Sequence, residues 1–198
     1  SHNATAIDAK SRAVIGTVPL GGKPEFAVSD GRGRMYVNIE DRSSLAVFDP
    51  ITLKVLATWP VAPGEEPSGL AIDREHHRLF SVCSNRLMVV LNADSGNVIG
   101  SVPIGEGVDA AAFDPGTGIA FSSNGEGTLS VIREESPGRF TVIETIATRR
   151  GARTMALDER THRIYLPTAQ FGPPPAPTPE RPRPRPSIVP GSFTIFVV

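Results

Sequence analysis

"GRMYVN", residues 33–38, reads as a turn glycine followed by a short apolar strand, and the chain spells it again. The later copies are "HRLFSVCSN" (77–85), "TGIAFSSN" (117–124) and "HRIYLPT" (162–168). Their aromatic residues Tyr36, Phe80, Phe121 and Tyr165 stand 44, 41 and 44 residues apart. A fixed period of this length is the mark of a repeat architecture. Each aromatic follows an apolar segment and a polar turn: "FAVSDGRGRMY" (26–36), "LAIDREHHRLF" (70–80), "AAFDPGTGIAF" (111–121) and "MALDERTHRIY" (155–165). A third apolar segment comes next, in "LAVFD" (45–49), "LMVVLN" (87–92) and "TLSVIR" (128–133). A fourth closes the unit, in "VLATWPV" (55–61), "VIGSVPI" (98–104) and "TVIETIA" (141–147).

Each unit is therefore four short strands, rich in β-branched and aromatic residues and punctuated by Asp-Pro, Asp-Gly and Asn-Gly. Helical periodicity is not sustained anywhere. Four-stranded units repeating every ~40–45 residues predict an all-β fold, a β-propeller of antiparallel blades. One blade cannot bury both of its faces, so blades stack around an axis. A single β-sandwich accounts for the strands but not for the period.

The totals agree with a globular domain: 39% hydrophobic, 21% charged, net charge −1, with 19 glycines and 19 prolines to supply turns. Near-neutrality gives no electrostatic reason to expect nucleic acid as a partner. No apolar run approaches the ~18–20 residues of a membrane span, and no charged-then-apolar leader is visible. Cys83 is the single cysteine, so no disulfide forms within the chain.

The first full unit, "VIGTVPLGGKPEFAVSDGRGRMYVNIEDRSSLAVFDPITLKVLATWPV" (14–61), resembles the YVTN-type β-propeller repeat, whose motif reads here as Tyr36-Val37-Asn38-Ile39. The later copies keep the aromatic alone. The resemblance implies a ring of seven blades, a periplasmic or secreted location, and roles that range from binding to catalysis.

With strands lettered a to d outward from the axis, complete blades fall at about 23–62, 66–104 and 107–147. The last, 151–198, has strand a (153–158), strand b (163–168) and a strand c in "FTIFVV" (193–198), with no strand d. A spare strand d lies at 13–19, after "TAID", which reads as the tail of a strand c. Two closures are open. The chain is part of a seven-bladed ring, with a second chain as one means of completing it. Alternatively, strand 13–19 zips onto the last blade and closes a four-bladed ring.

Topology sorts the loops. The d–a and b–c loops share one face of the disc, and the a–b and c–d turns share the other. The candidate binding residues on the first face are Glu25, Glu65, Glu66, Ser68, Glu106, Asp109, Arg150, Arg153 and Asn124. Glu25, Ser68, Asp109 and Arg153 occupy like positions near the start of strand a and are expected to point to the axial channel. A mouth lined by mixed acids and arginines suits an unidentified small molecule or peptide. A non-catalytic binding or scaffold role is the first reading. An enzyme at the channel mouth (lyase, hydrolase or redox) is the second, since propellers similar to these include virginiamycin B lyase.

No catalytic residue, metal ligand or cofactor is assigned from the sequence. In this sorting no histidine falls on the d–a/b–c face, and His76, His77 and His162 read as solvated residues of a–b turns. Glu65 and Glu66 adjoin in a loop without a nucleophile, and Cys83 reads as a small apolar filler. The proline-rich stretch 171–191 cannot pair as a strand and reads as an insertion in the last b–c loop, stiff and packed over the disc edge. The alternative is a lid or docking strip, with Arg181, Arg183 and Arg185 laid across Glu65, Glu66 or Glu106.

Overall fold

The computed structural model describes residues 2–182, 184 and 186–198. Its first element is an antiparallel pair, β1 (Asn3–Ile7) and β2 (Val14–Pro19). Blade I follows, with β3 (Pro24–Ser29), β4 (Met35–Ile39), β5 (Ser44–Asp49) and β6 (Lys54–Pro60). Blade II holds β7 (Pro67–Asp73), β8 (Arg78–Cys83), β9 (Leu87–Asn92) and β10 (Val98–Pro103). Blade III holds β11 (Val108–Asp114), β12 (Ile119–Asn124), β13 (Thr128–Ser136) and β14 (Arg139–Ala147). Blade IV has three strands, β15 (Ala156–Asp158), β16 (Arg163–Thr168) and β17 (Thr194–Val197). Every sheet is antiparallel and pairs strands in chain order, as the repeat predicts.

The pattern within each strand follows its radial position. The second and third strands of a blade are sandwiched between neighbouring sheets, so β8 and β9 are buried nearly throughout. The outermost strands are more open: in β6 Val55 and Leu56 are both exposed, and half-buried residues alternate with exposed ones only from Leu56 to Pro60. Between successive sheets lies one apolar cluster each. Val18, Val37 and Phe48 join the first pair to blade I. Tyr36, Leu70 and Leu91 join blades I and II. Phe80, Ile132 and Phe140 join II and III, and Leu129, Ile164 and Leu166 join III and IV. Burial between sheets, at about 25 cal/mol per Å² of apolar surface, is the main force that stacks them.

The recurring aromatic is the piece that docks each blade on the next. Tyr36 is buried and its hydroxyl donates to the Ala93 carbonyl of blade II at 2.9 Å. Phe80 stacks on Phe113 of blade III (centroids 5.3 Å apart) and meets Phe140 edge-on at 6.2 Å. Phe121 packs in the cluster against blade IV. Asn38 adds a polar clamp: its Nδ2 donates to the carbonyls of Ser68 and Gly69, and its Oδ1 accepts from the Ser81 hydroxyl. At Gly69 the inner strands come so close that a Cβ would lie 2.6 Å from the Ala111 nitrogen, so only glycine fits there.

The structure bears out one expectation at the ends and corrects two. "TAI" (5–7) closes a strand, β1, that precedes β2 and pairs with it, as the tail of a strand c should. Strand a of blade IV is short, Ala156–Asp158 rather than 153–158. The four-bladed closure does not form among the described residues: β2 and β17 lie in separate sheets, β1–β2 and β15–β16–β17. The sheets make an arc, with blade IV and the β1–β2 pair at its two ends.

The insertion between β16 and β17 is a b–c loop, as expected, but only its stem is tied down. Phe171 and Ile188 form an isolated antiparallel bridge, flanked by Gly172 N–H donating to Ser187 O and Val189 N–H to Gln170 O, both at 2.9 Å. Residues 173–182 are exposed, and their tip turns back through a Thr178–Arg181 bridge. Arg181 makes no ion pair with Glu65, Glu66 or Glu106 among the described residues. Arg183 and Arg185 lie outside the described residues.

Candidate functional site

The d–a and b–c loops do share a face, and the main chain ties them together. Glu40 N–H donates to Lys23 O, Ser84 N–H to Glu65 O, and Gly125 N–H to Gly107 O, all at 2.9 Å. The b–c turns close through left-handed residues at one equivalent place: Ser43 (φ 43°), Arg86 (φ 64°) and Gly127 (φ 108°). These bonds satisfy the loop backbone and leave the side chains to be presented from a fixed frame.

Each complete blade also carries a register shift at the start of strand a, between Pro24 and Ala27, Pro67 and Leu70, and Val108 and Ala110. A bulge leaves a residue unpaired and re-aims it. Glu25, Ser68 and Asp109 sit inside these three shifts, which gives a backbone reason for their equivalence. Glu25 pairs with Lys23 at 2.8 Å, and Lys23 also contacts Glu40. Ser68 is half-buried and its hydroxyl has no partner among the described residues. Asp109 of blade III faces Arg153 of the next loop at 3.9 Å, joining two of the expected four across a blade boundary.

Glu65, Glu66, Glu106 and Arg150 are exposed. Glu66 accepts a bond from the Ser84 hydroxyl at 3.0 Å and takes φ 47° immediately before strand a, where blade III uses Gly107 (φ 71°). A charged residue held where glycine is cheaper is the kind of outlier that accompanies a site. Arg149 lies over the Phe196 ring, 5.3 Å from its centroid. The face is thus sorted by sign. Carboxylates dominate the loops entering blades II and III, the loop entering blade I sets Lys23 against Glu25, and arginines dominate the loop entering blade IV.

Asn124 does not belong to this face as a ligand contact. It is fully buried, with Nδ2 donating to the Thr128 and Ser130 hydroxyls and Oδ1 accepting from Ser122. Its reading as a binding residue is corrected to that of an internal brace. The histidine sorting also needs one correction. The His2 carbonyl accepts from Leu20 N–H at 2.9 Å, which puts His2 beside a d–a loop.

On the opposite face the turn histidines are bonded. His77 (φ 54°) and His162 (φ 55°) fill the left-handed place that Gly33 and Gly118 fill in the other a–b turns. Arg32 Nη1 lies 3.0 Å from His77 Nε2; arginine only donates, so Nε2 accepts and Nδ1–H donates to Asp94 at 2.6 Å. His162 Nδ1 reaches Asp114 of blade III at 2.8 Å, and Asp114 is 1% exposed. His76 bonds Asp73 at 2.7 Å, and that bond raises its pKa above the ordinary value. No three potential metal ligands cluster among the described residues. Cys83 is buried, and burial pushes its thiol up to about 11, so it stays protonated at neutral pH. The sequence hid the bonds of His77 and His162 because their partners lie in another turn or another blade.

No protein-family model matches the chain, and no curated protein matches it in sequence. Among solved structures it is similar to the hydrazine synthase of Kuenenia stuttgartiensis, with TM-score 0.73 and 19% identity. The match covers 99% of this chain and 56% of that one, so this chain spans little more than half the length of its structural relative. At that identity the likeness carries the architecture alone, and together with the repeated, sequentially paired sheets it makes this chain a β-propeller.

Proposed function

We propose that this chain is a binding propeller that recognises a small molecule or peptide carrying both signs of charge on its d–a/b–c face. The observation that carries the reading is the sorting of exposed carboxylates and arginines onto loops whose backbones are already bonded to one another. Preorganised loops lose little free energy to ordering when a ligand arrives. The YVTN character of the repeat is part of the same proposal and rests on the residues around Tyr36. A thermal-shift panel of zwitterionic peptides tests the binding role, run on the wild type and on a Glu66→Gln/Glu106→Gln/Arg150→Gln variant. Stabilising peptides whose effect vanishes in the variant support it. Peptides that stabilise both proteins equally overturn it.

The same reading includes completion of the ring by further blades. Tyr165 stands where Tyr36, Phe80 and Phe121 dock on the blade that follows, yet Ile195 and Val197 beside it are 50% and 54% exposed. The β17 edge has no outer partner among the described residues. A continuous apolar face beside an unpaired strand is an interface in waiting, and continuity with the three blade junctions before it calls for another sheet of the same kind.

A further inference from the structure

We infer a second binding site, on the a–b/c–d face between blades II and III, that takes a small organic amine with a flat apolar body. A cleft of about 410 Å³ opens there, within the size range of small-molecule sites. Its floor is the edge of the inter-blade core. Phe80, Phe113 and Phe140 meet at 5.3 and 6.2 Å and turn part of their ring surface to the cleft.

Its rim is acidic. Asp73, Glu75 and Glu134 face the cleft against one guanidinium, Arg78, and one imidazole, His76. Asp73 is engaged by His76, and Glu134 by Arg78 at 3.4 Å and by Gly138 N–H at 2.8 Å. Glu75 forms no ion pair among the described residues. The lining therefore keeps a net negative charge beside aromatic rings. Carboxylates with ring quadrupoles select an ammonium over a neutral or anionic group of the same shape.

The neighbouring gap gives the contrast. Between blades I and II the equivalent cleft, about 210 Å³, is lined by Arg32, Arg34 and Arg74 against Asp30 and Asp94. Two gaps built from the same repeat thus differ in size and in the sign of their lining, so the repeat alone does not produce the acid-aromatic combination.

The test is calorimetric titration with tryptamine and with its neutral isostere tryptophol, near neutral pH and at moderate salt. Tryptamine is expected to bind with one-to-one stoichiometry, at least tenfold more tightly than tryptophol. Glu75→Gln/Glu134→Gln is expected to erase that preference; the amide oxygen of the second substitution still accepts from Gly138 N–H, and circular dichroism checks the fold. A second variant, Ser136→Trp, fills the exposed mouth without touching the core and is expected to abolish binding of both. Equal affinity for the two indoles, or unchanged tryptamine binding in either variant, overturns the site.

Discussion

Phe80 and Tyr165 occupy the same place in the repeat and have different surroundings. Phe80 is 4% exposed, enclosed by Phe113 and Phe140 of the following blade. Tyr165 is half-buried, on a sheet whose outward neighbours Ile195 and Val197 face water. The aromatic therefore stabilises the junction ahead of it more than its own blade. Its worth depends on a partner elsewhere in the chain or beyond it.

The largest effect is expected from Phe80→Ala, which removes a ring from the core between blades II and III. A loss of about 3–5 kcal/mol is expected, read from urea unfolding. A loss below ~1 kcal/mol would erase the contrast with Tyr165, because Phe80 would then be no better anchored than a surface residue.

A polar version of the same contrast lies at the junction of blades III and IV. Asp114 is buried there; burial alone would raise its pKa, but bonds from Thr117, His162 and Gly116 outweigh this and lower it. A folded pKa below the unfolded one stabilises the protein above the ordinary carboxylate range. That contribution is lost as pH falls through the range towards the lowered value. Asp114→Asn is expected to cost about 1.5–3 kcal/mol at neutral pH. Its deficit against the wild type should shrink below about pH 4 in acid-unfolding curves. A deficit independent of pH would assign the bond to shape alone.

The smallest effect on stability is expected at Tyr165. Tyr165→Ala should cost within ~0.5–1 kcal/mol in this chain, since no blade encloses the ring. Its consequence lies in association. Sedimentation of the 198-residue chain should show less self-association for Ile195→Lys/Val197→Lys than for the wild type. Equal behaviour of the two would remove the argument that this face awaits a further sheet.

The period between Tyr36, Phe80, Phe121 and Tyr165 made the blades legible, and with them the strand order and the sorting of loops onto two faces. Asn124 shows where such reading stops. Its loop position suggested a ligand contact, but the side chain turns inward to Thr128 and Ser130. The amine cleft was invisible for a related reason: Phe80, Phe113, Phe140 and Glu134 come from four strands of two blades, and nothing in their spacing announces a common wall.

The residues read in order were therefore enough for what is local and periodic: which segments are strands, where polar turns interrupt them, and which residue recurs. Alternation and turn chemistry act over a few residues, so one strand's worth of text suffices to read them. Packing in three dimensions settled which blades touch, that β2 does not join β17 to close the arc, and which charges share a cleft. Those outcomes depend on burial between segments ~40 residues apart or more, and a contact across that distance leaves no mark in either segment alone.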